Sequence, residues 1–184
     1  MVKMNSMVLL FLLSYWFVQP AMAYENIYDR TPVGVIEIKT LPAAVSLETQ
    51  TTGDYFSSDD ALFMRLFRYI DHNDLSMTVP VEADTSPGAM RFFIGSAQID
   101  SMPTDQESVH VRTLPERSVV SAGLRGGYTK QLFNQGVNSL RAWLDSNPSW
   151  IPAGDPYVVY WNGPFVPGFL KRSEVHIPLM PVEQ

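Results

Sequence analysis

Two stretches bring together side chains that could hold a ligand. In the first, Phe63, Met64, Arg65, Phe67 and Arg68 fall within six residues, and His72 follows one turn later. On a helical wheel Met64 sits at the border of the polar face, near Arg65 and one turn before Arg68, with Phe63 and Phe67 flanking that border. Phenylalanine and methionine offer polarisable apolar surface. Arginine adds a planar cation suited to carboxylate or phosphate groups. In an acidic chain this is a local positive patch beside apolar surface. The plainer reading pairs Arg65 and Arg68 with Asp60, Asp71 or Asp74 and leaves Met64 as a gap-filler. The second stretch is Trp161-Asn162-Gly163-Pro164-Phe165-Val166-Pro167-Gly168-Phe169-Leu170-Lys171-Arg172, a loop rich in proline, glycine and aromatics that ends on two cations. Phe165 and Phe169 either meet a ligand or partner or cover one end of the core.

Catalytic signatures are missing. The chain has no Gly-x-Ser-x-Gly elbow, phosphate loop or dinucleotide fingerprint. Gly123-Leu124-Arg125-Gly126-Gly127 lacks the required spacing. Without cysteine there are no disulfides, thiolate nucleophiles or Cys-type zinc sites. His72, His110 and His176 lie in separate elements with no His-x3-His spacing, so no metal set is assigned. No catalytic residue is assigned, and the reading favours a binding protein over an enzyme.

Residues 1–23 read as a secretory signal peptide. Lys3 precedes an apolar run from Met7 to Val18, Pro20 breaks it, and Ala21-Met22-Ala23 supplies small residues for cleavage after Ala23. The expectation is a periplasmic or secreted protein with no stable membrane insertion after cleavage. Residues 24–184 then form a single domain. The net charge of −6, one unit more negative without Lys3, argues against nucleic acid and anionic membranes as general partners.

The elements that must position these side chains repeat. Val33–Lys39 and Ala43–Thr52 alternate as strands and are expected to form a hairpin about Leu41-Pro42. An amphipathic helix follows, with Leu62, Phe63, Leu66, Phe67, Tyr69 and Ile70 on its broad apolar face. Ser57 or Ser58 caps it, with Asp59 and Asp60 in its first turn. Ser76–Val81, with Pro80 at an edge or bulge, and Met90–Ile94 complete the unit. Val111-Arg112-Thr113-Leu114-Pro115 echoes Ile38-Lys39-Thr40-Leu41-Pro42 at an offset of 73, which also carries Gly53 onto Gly126, Tyr55 onto Tyr128 and Arg68 onto Arg141. A second hairpin, a helix over Tyr128–Asp145 and strands over Tyr157–Trp161 and Glu174–Ile177 follow. The repeat predicts two strand-strand-helix-strand-strand halves.

With these motifs in place, the chain resembles the SOUL heme-binding protein family. The likeness rests on Phe63-Met64-Arg65-Leu66-Phe67-Arg68-Tyr69-Ile70, Met77-Thr78-Val79-Pro80-Val81, Phe92-Phe93, Pro103-Thr104-Asp105 and Phe169-Leu170-Lys171-Arg172-Ser173-Glu174-Val175. It spans about Tyr24 to Ile177. The resemblance implies an α+β fold: a pseudo-twofold, distorted antiparallel β-barrel of two ββαββ halves flanked by two helices, similar to gyrase-inhibitor-like small-molecule-binding domains. It implies heme or another tetrapyrrole as ligand, in a shallow apolar cleft beside the first helix and the late loop. Phe63, Met64, Phe67, Phe165 and Phe169 would line that cleft, and Arg65, Arg68, Lys171 and Arg172 would meet the propionates. His72 is the candidate axial ligand. The turn Asp71–Ser76 is shorter than usual in the family, and Ser173 replaces a common asparagine. Two other expectations stand beside this one. The chain could be an envelope or stress-related interaction module that docks a protein through the 161–172 loop. It could also be a small-molecule hydrolase, which would need a cleft carboxylate of raised pKa.

Overall fold

The computed structural model describes residues 24–57, 61–101 and 104–182. The expected signal peptide, the alternative cap Ser58 and the first-turn residues Asp59 and Asp60 lie outside them; Ser57, the other expected cap, ends a 3-10 turn (Tyr55–Ser57) four residues before the first helix begins at Ala61. In chain order the elements are β1 (Glu25–Asn26), β2 (Ile36–Leu41), β3 (Ala44–Gln50), α1 (Ala61–His72), β4 (Thr78–Val79), β5 (Val81–Thr85) and β6 (Gly88–Phe93). The second half holds β7 (His110–Leu114), β8 (Arg117–Arg125), α2 (Lys130–Asp145), β9 (Trp150–Pro152), β10 (Tyr157–Tyr160) and β11 (Arg172–Pro181). The fold is α+β. One antiparallel sheet runs β2-β8-β11-β10-β5-β6-β3-β7 and curls into a distorted half-barrel, with β9 added beside β11. The order is palindromic: exchanging the two halves maps each strand onto its repeat, with the pseudo-twofold axis between β10 and β5.

The strands pair differently from the hairpins the sequence suggests. β2 pairs with β8, and β3 pairs with β7. Leu41 faces Arg117 and Ala44 faces Leu114 with no slip between them, so each chain runs straight through its proline and crosses to the other half. A two-residue hairpin needs positive φ at its first central position. Proline fixes φ near −65°, and neither Pro42-Ala43 nor Pro115-Glu116 contains a positive-φ residue.

Both helices lie on one side of the sheet. Under α1, Leu62, Leu66, Tyr69 and Ile70 pack on Leu47, Met90, Phe92 and Val158. Under α2, Val137 and Leu140 pack on Val120, Ala122, Val175 and Ile177. Each fully buried aliphatic side chain contributes roughly 1.5–3 kcal/mol. Thr129 caps α2, its hydroxyl accepting from Leu132 N at 3.2 Å. The buried positions of α1 match the inward positions Gly136, Leu140, Trp143 and Leu144 of α2 in spacing, one residue further on than the strand offset. Arg141 is therefore the counterpart of Phe67, not of Arg68, and Arg68 matches Ala142. The gap-free repeat holds for β2 and β3 against β7 and β8 and gains a residue before the helix.

Alternation along the strands places a different set on the other face. Leu41, Val119, Tyr157, Val159 and Trp161 form a smaller cluster there with Tyr28. The segment before β2 crosses this face so closely that a Cβ at Gly123 would lie 2.1 Å from Pro32 O. Only glycine leaves room for that crossing.

Candidate functional site

The α1 surface keeps the predicted residues together. Phe63 is half-buried, stacks on Phe67 at 6.0 Å between centroids and meets Phe92 edge-on. Met64 and Phe67 stay exposed, at 41% and 43%. Arg65 donates from Nη1 to Gln50 O at 3.2 Å. Among the described residues neither Arg65 nor Arg68 is within ion-pair distance of a carboxylate, so the pairing with Asp71 or Asp74 is not made. His72 ends the helix, exposed.

The late loop seats on the second half. Tyr128 stacks on Tyr160 at 4.0 Å, and its hydroxyl donates to Arg172 O at 3.0 Å. The Asn162 side chain accepts from Arg172 N at 2.6 Å. Lys171 Nζ lies 4.6 Å from the centre of the Tyr128 ring, on the helix side. Arg172 is different. It faces Arg125 across the strands, while its neighbour Ser173 faces Leu124 beside the Tyr128 crevice, so Arg172 and Arg125 point to the opposite side of the sheet. Phe165 is 98% and Phe169 72% exposed. The crevice among Leu124, Tyr128, Leu132, Phe133, Tyr160 and Ser173 measures only about 10 Å³. A porphyrin cannot enter that volume.

The non-helical face holds a charged network that the sequence reading missed. Glu174, fully buried, accepts at Oε1 from Thr31 N and Trp161 Nε1, both 2.7 Å. Its Oε2 accepts from Lys39 Nζ and Ser121 Oγ, both 2.9 Å, and from His176 Nε2 at 2.6 Å. Glu82 accepts from Arg117 at 2.7 and 2.9 Å and from the Tyr28 hydroxyl at 2.8 Å. Arg91 joins Glu48 and Asp84. The signal was present as charges alternating with apolar residues in Val81-Glu82-Ala83-Asp84 and Ser173-Glu174-Val175-His176. That pattern reads as a solvated face unless the sheet curls over it.

Glu82, Asp84, Arg91, Arg117, Asp155 and Tyr157 line one end of this face around a cavity of about 400 Å³. Its walls mix these charged groups with Pro87, Ala89, Leu114, Pro156 and Pro178, so a guest there would have to meet buried charge. Burial opposes the charge on Glu48 and Glu174. Arg91 for the first, and His176 and Lys39 for the second, outweigh it and hold both carboxyls below the usual range, Glu174 at about 2. Neither is the raised-pKa carboxylate that hydrolysis by general acid-base chemistry calls for.

The geometry can be set beside known proteins. EcmrR, in a cryo-EM structure with DNA, superposes with a TM-score of 0.65 at 14% identity, over 80% of this chain and 58% of that one. The isolated EcmrR C-terminal domain gives 0.61 at 14% identity, over 80% and 98%. A hydrolase from Listeria innocua gives 0.58 at 11% identity, over 82% and 94%. At such identities the likeness is one of fold, and this chain spans little more than half of EcmrR in the DNA complex. No curated protein matches the sequence. The family model described as SOUL heme-binding protein matches residues 20–178, nearly the whole chain. With the motifs and the pseudo-twofold fold already in hand, that match places the chain in the SOUL heme-binding protein family.

Proposed function

We propose that this protein, exported and freed of residues 1–23, binds heme or a related tetrapyrrole without catalysing a reaction. The observation that carries the reading is the α1 face: Met64 and Phe67 exposed over Phe63, with Arg65 and Arg68, among the described residues, beyond ion-pair distance of any carboxylate. A porphyrin offers an apolar disc and two carboxylates, which those residues complement. Bound heme would supply an iron able to take a nitrogen ligand from the protein, and His72 is the nearest candidate in sequence to provide it. Lys171, over Tyr128, is the loop cation that shares the helix side. The test is titration of residues 24–184 with hemin, followed by the Soret shift. Saturable micromolar binding, weakened about tenfold or more by Arg65→Glu with Arg68→Glu, is expected from the loss of charge-assisted contacts. Binding no tighter than to a generic apolar protein would end the proposal.

A second reading is favoured by one observation, the exposure of Phe165 and Phe169 at 98% and 72%. In it, the 161–172 loop is an interaction surface that docks a partner. It predicts that Phe165→Ser with Phe169→Ser abolishes recovery of that partner. Retention of the partner by the double variant would rule it out.

A further inference from the structure

The first half joins β5 to β6 through Ser86-Pro87 alone, whereas the second joins β10 to β11 through residues 161–171. The fold therefore does not need this loop to close its sheet. Its tip is apolar and rigidly displayed. Val166 N donates to Gly163 O at 3.3 Å, Leu170 N to Pro167 O at 2.9 Å and Lys171 N to Gly168 O at 3.1 Å. Pro164 and Pro167 restrict the backbone further. Phe165, Phe169 and Leu170, the last 43% exposed, project from this frame.

The stem is cationic. Residues 161–172 contain Lys171 and Arg172 and no carboxylate, in a chain of net charge −6. Arg125 stands directly across from Arg172 and donates from Nε to Phe169 O at 3.0 Å. Like charges facing one another across a ladder repel. Among the described residues none of these three cations lies within ion-pair distance of a carboxylate, and Arg172 Nη1 is buried without a hydrogen-bond partner. Among the described residues no carboxylate offsets these cations, which flank the stem on both sides of the sheet, Lys171 on the helix side and Arg125 and Arg172 on the other.

We infer that the 161–172 loop docks on an anionic lipid surface, its phenylalanines entering the acyl boundary while Lys171 and the exposed Arg125 meet headgroups. The inference rests on the second reading above and names its partner. The order of groups from tip to stem, apolar and then cationic, is the order of a bilayer entered from water. A nucleic acid would match the cations but not the phenylalanine tip. A protein groove would match the tip and leave three like charges to find separate partners. Attachment would be peripheral, because among the described residues no helix is long and apolar enough to cross a membrane. The acidity of the whole chain predicts poor adhesion to anionic membranes, and the loop reverses that locally.

The test uses residues 24–184 with sedimentable vesicles of phosphatidylcholine, alone or with phosphatidylglycerol. The chain should sediment with the anionic vesicles, weakly or not at all with the neutral ones, and less as salt is raised. Phe165→Ser with Phe169→Ser should lower partitioning at least tenfold, and Arg125→Glu should lower it on anionic vesicles. Phe165→Trp should add a fluorescence component that shifts to the blue on binding and is quenched by brominated lipid. No vesicle association, or association unchanged in the Phe165/Phe169 variant, overturns the inference. If vesicles fail while a protein partner is recovered through Phe165, the lipid inference falls and the loop reading survives. If both fail, both are wrong.

Discussion

Glu174 has no solvent exposure and remains ionised because five donors converge on its two oxygens. His176 completes the arrangement as a neutral ring. Its Nε2–H donates to Glu174, and its Nδ1 accepts from the Tyr157 hydroxyl at 3.1 Å. Burial pushes the Tyr157 hydroxyl up, so it keeps that proton. Burial also drives the His176 pKa down, against the pull of Glu174. Both groups then have folded-state pKa values below their unfolded ones. Over each interval the unfolded chain binds more protons, so stability is lost as pH falls. For His176 the loss begins near the unfolded value of about 6.5. For Glu174 it runs from the ordinary carboxylate value down to about 2. The Tm should therefore drop as pH is lowered past about 6.5 and drop further in the carboxylate range. His176→Gln should lose the upper step and keep the lower, as followed by thermal melts across pH. An unchanged upper step in that variant would show that another group causes it. None of this was legible from residue types alone. Glu174 and His176 were recognised as strand residues, but a strand's polar side is interior only when the sheet curls and a preceding segment, here Thr31 and its neighbours, covers it.

At the scale of elements, the two helices show how far the repeat reaches. Their existence and apolar faces were readable from i, i+3, i+4 spacing, and the strand offset was readable from Leu-Pro and Gly-x-Tyr landmarks. The pairing of the strands was not, because a proline between two alternating runs looks the same whether the chain reverses or passes straight through. The one-residue slip before the helices was also hidden, since Arg68 and Arg141 coincide at the strand offset by type though not by place. Gly136 marks the difference in packing. It occupies the position of Leu62, and a Cβ there would lie 2.6 Å from Val175 Cγ2 and 3.0 Å from Leu124 Cδ1. Val175 is fully buried and stiff at χ1, so it cannot yield cheaply. Gly136→Ala gains up to about 1 kcal/mol of helix propensity. Overpacking costs roughly 1–3 kcal/mol. The expected net result is destabilisation by about 1–2 kcal/mol, seen as a lower urea midpoint at unchanged m. Ser139→Ala, on the exposed side of the same helix, should instead raise the midpoint slightly. A stabilised Gly136→Ala would mean that α2 can lift from β11 without loss.

For the molecule as a whole, the exchange of strands between halves decides how it folds. Among the described residues β2 has its ladder only with β8, and β7 only with β3. Neither half can complete its own sheet, although each carries a helix and four strands of suitable pattern. The first half taken alone would expose the edges of β3 and β5 and leave β2 without a partner. Fragment 24–107 should therefore show no cooperative urea transition by far-UV circular dichroism, and the same should hold for 108–184. Mixed in equal amounts they should recover sheet signal and a single transition, because the missing ladders can form between chains as they do within one. The intact chain 24–184 should unfold with coincident fluorescence and circular dichroism curves. It should refold slowly for its size, since the pairings that define it are distant in sequence. A first half that folds cooperatively by itself would contradict this account. It would mean that β2 and β3 can turn back on each other at Pro42, the hairpin that the absence of positive φ there forbids.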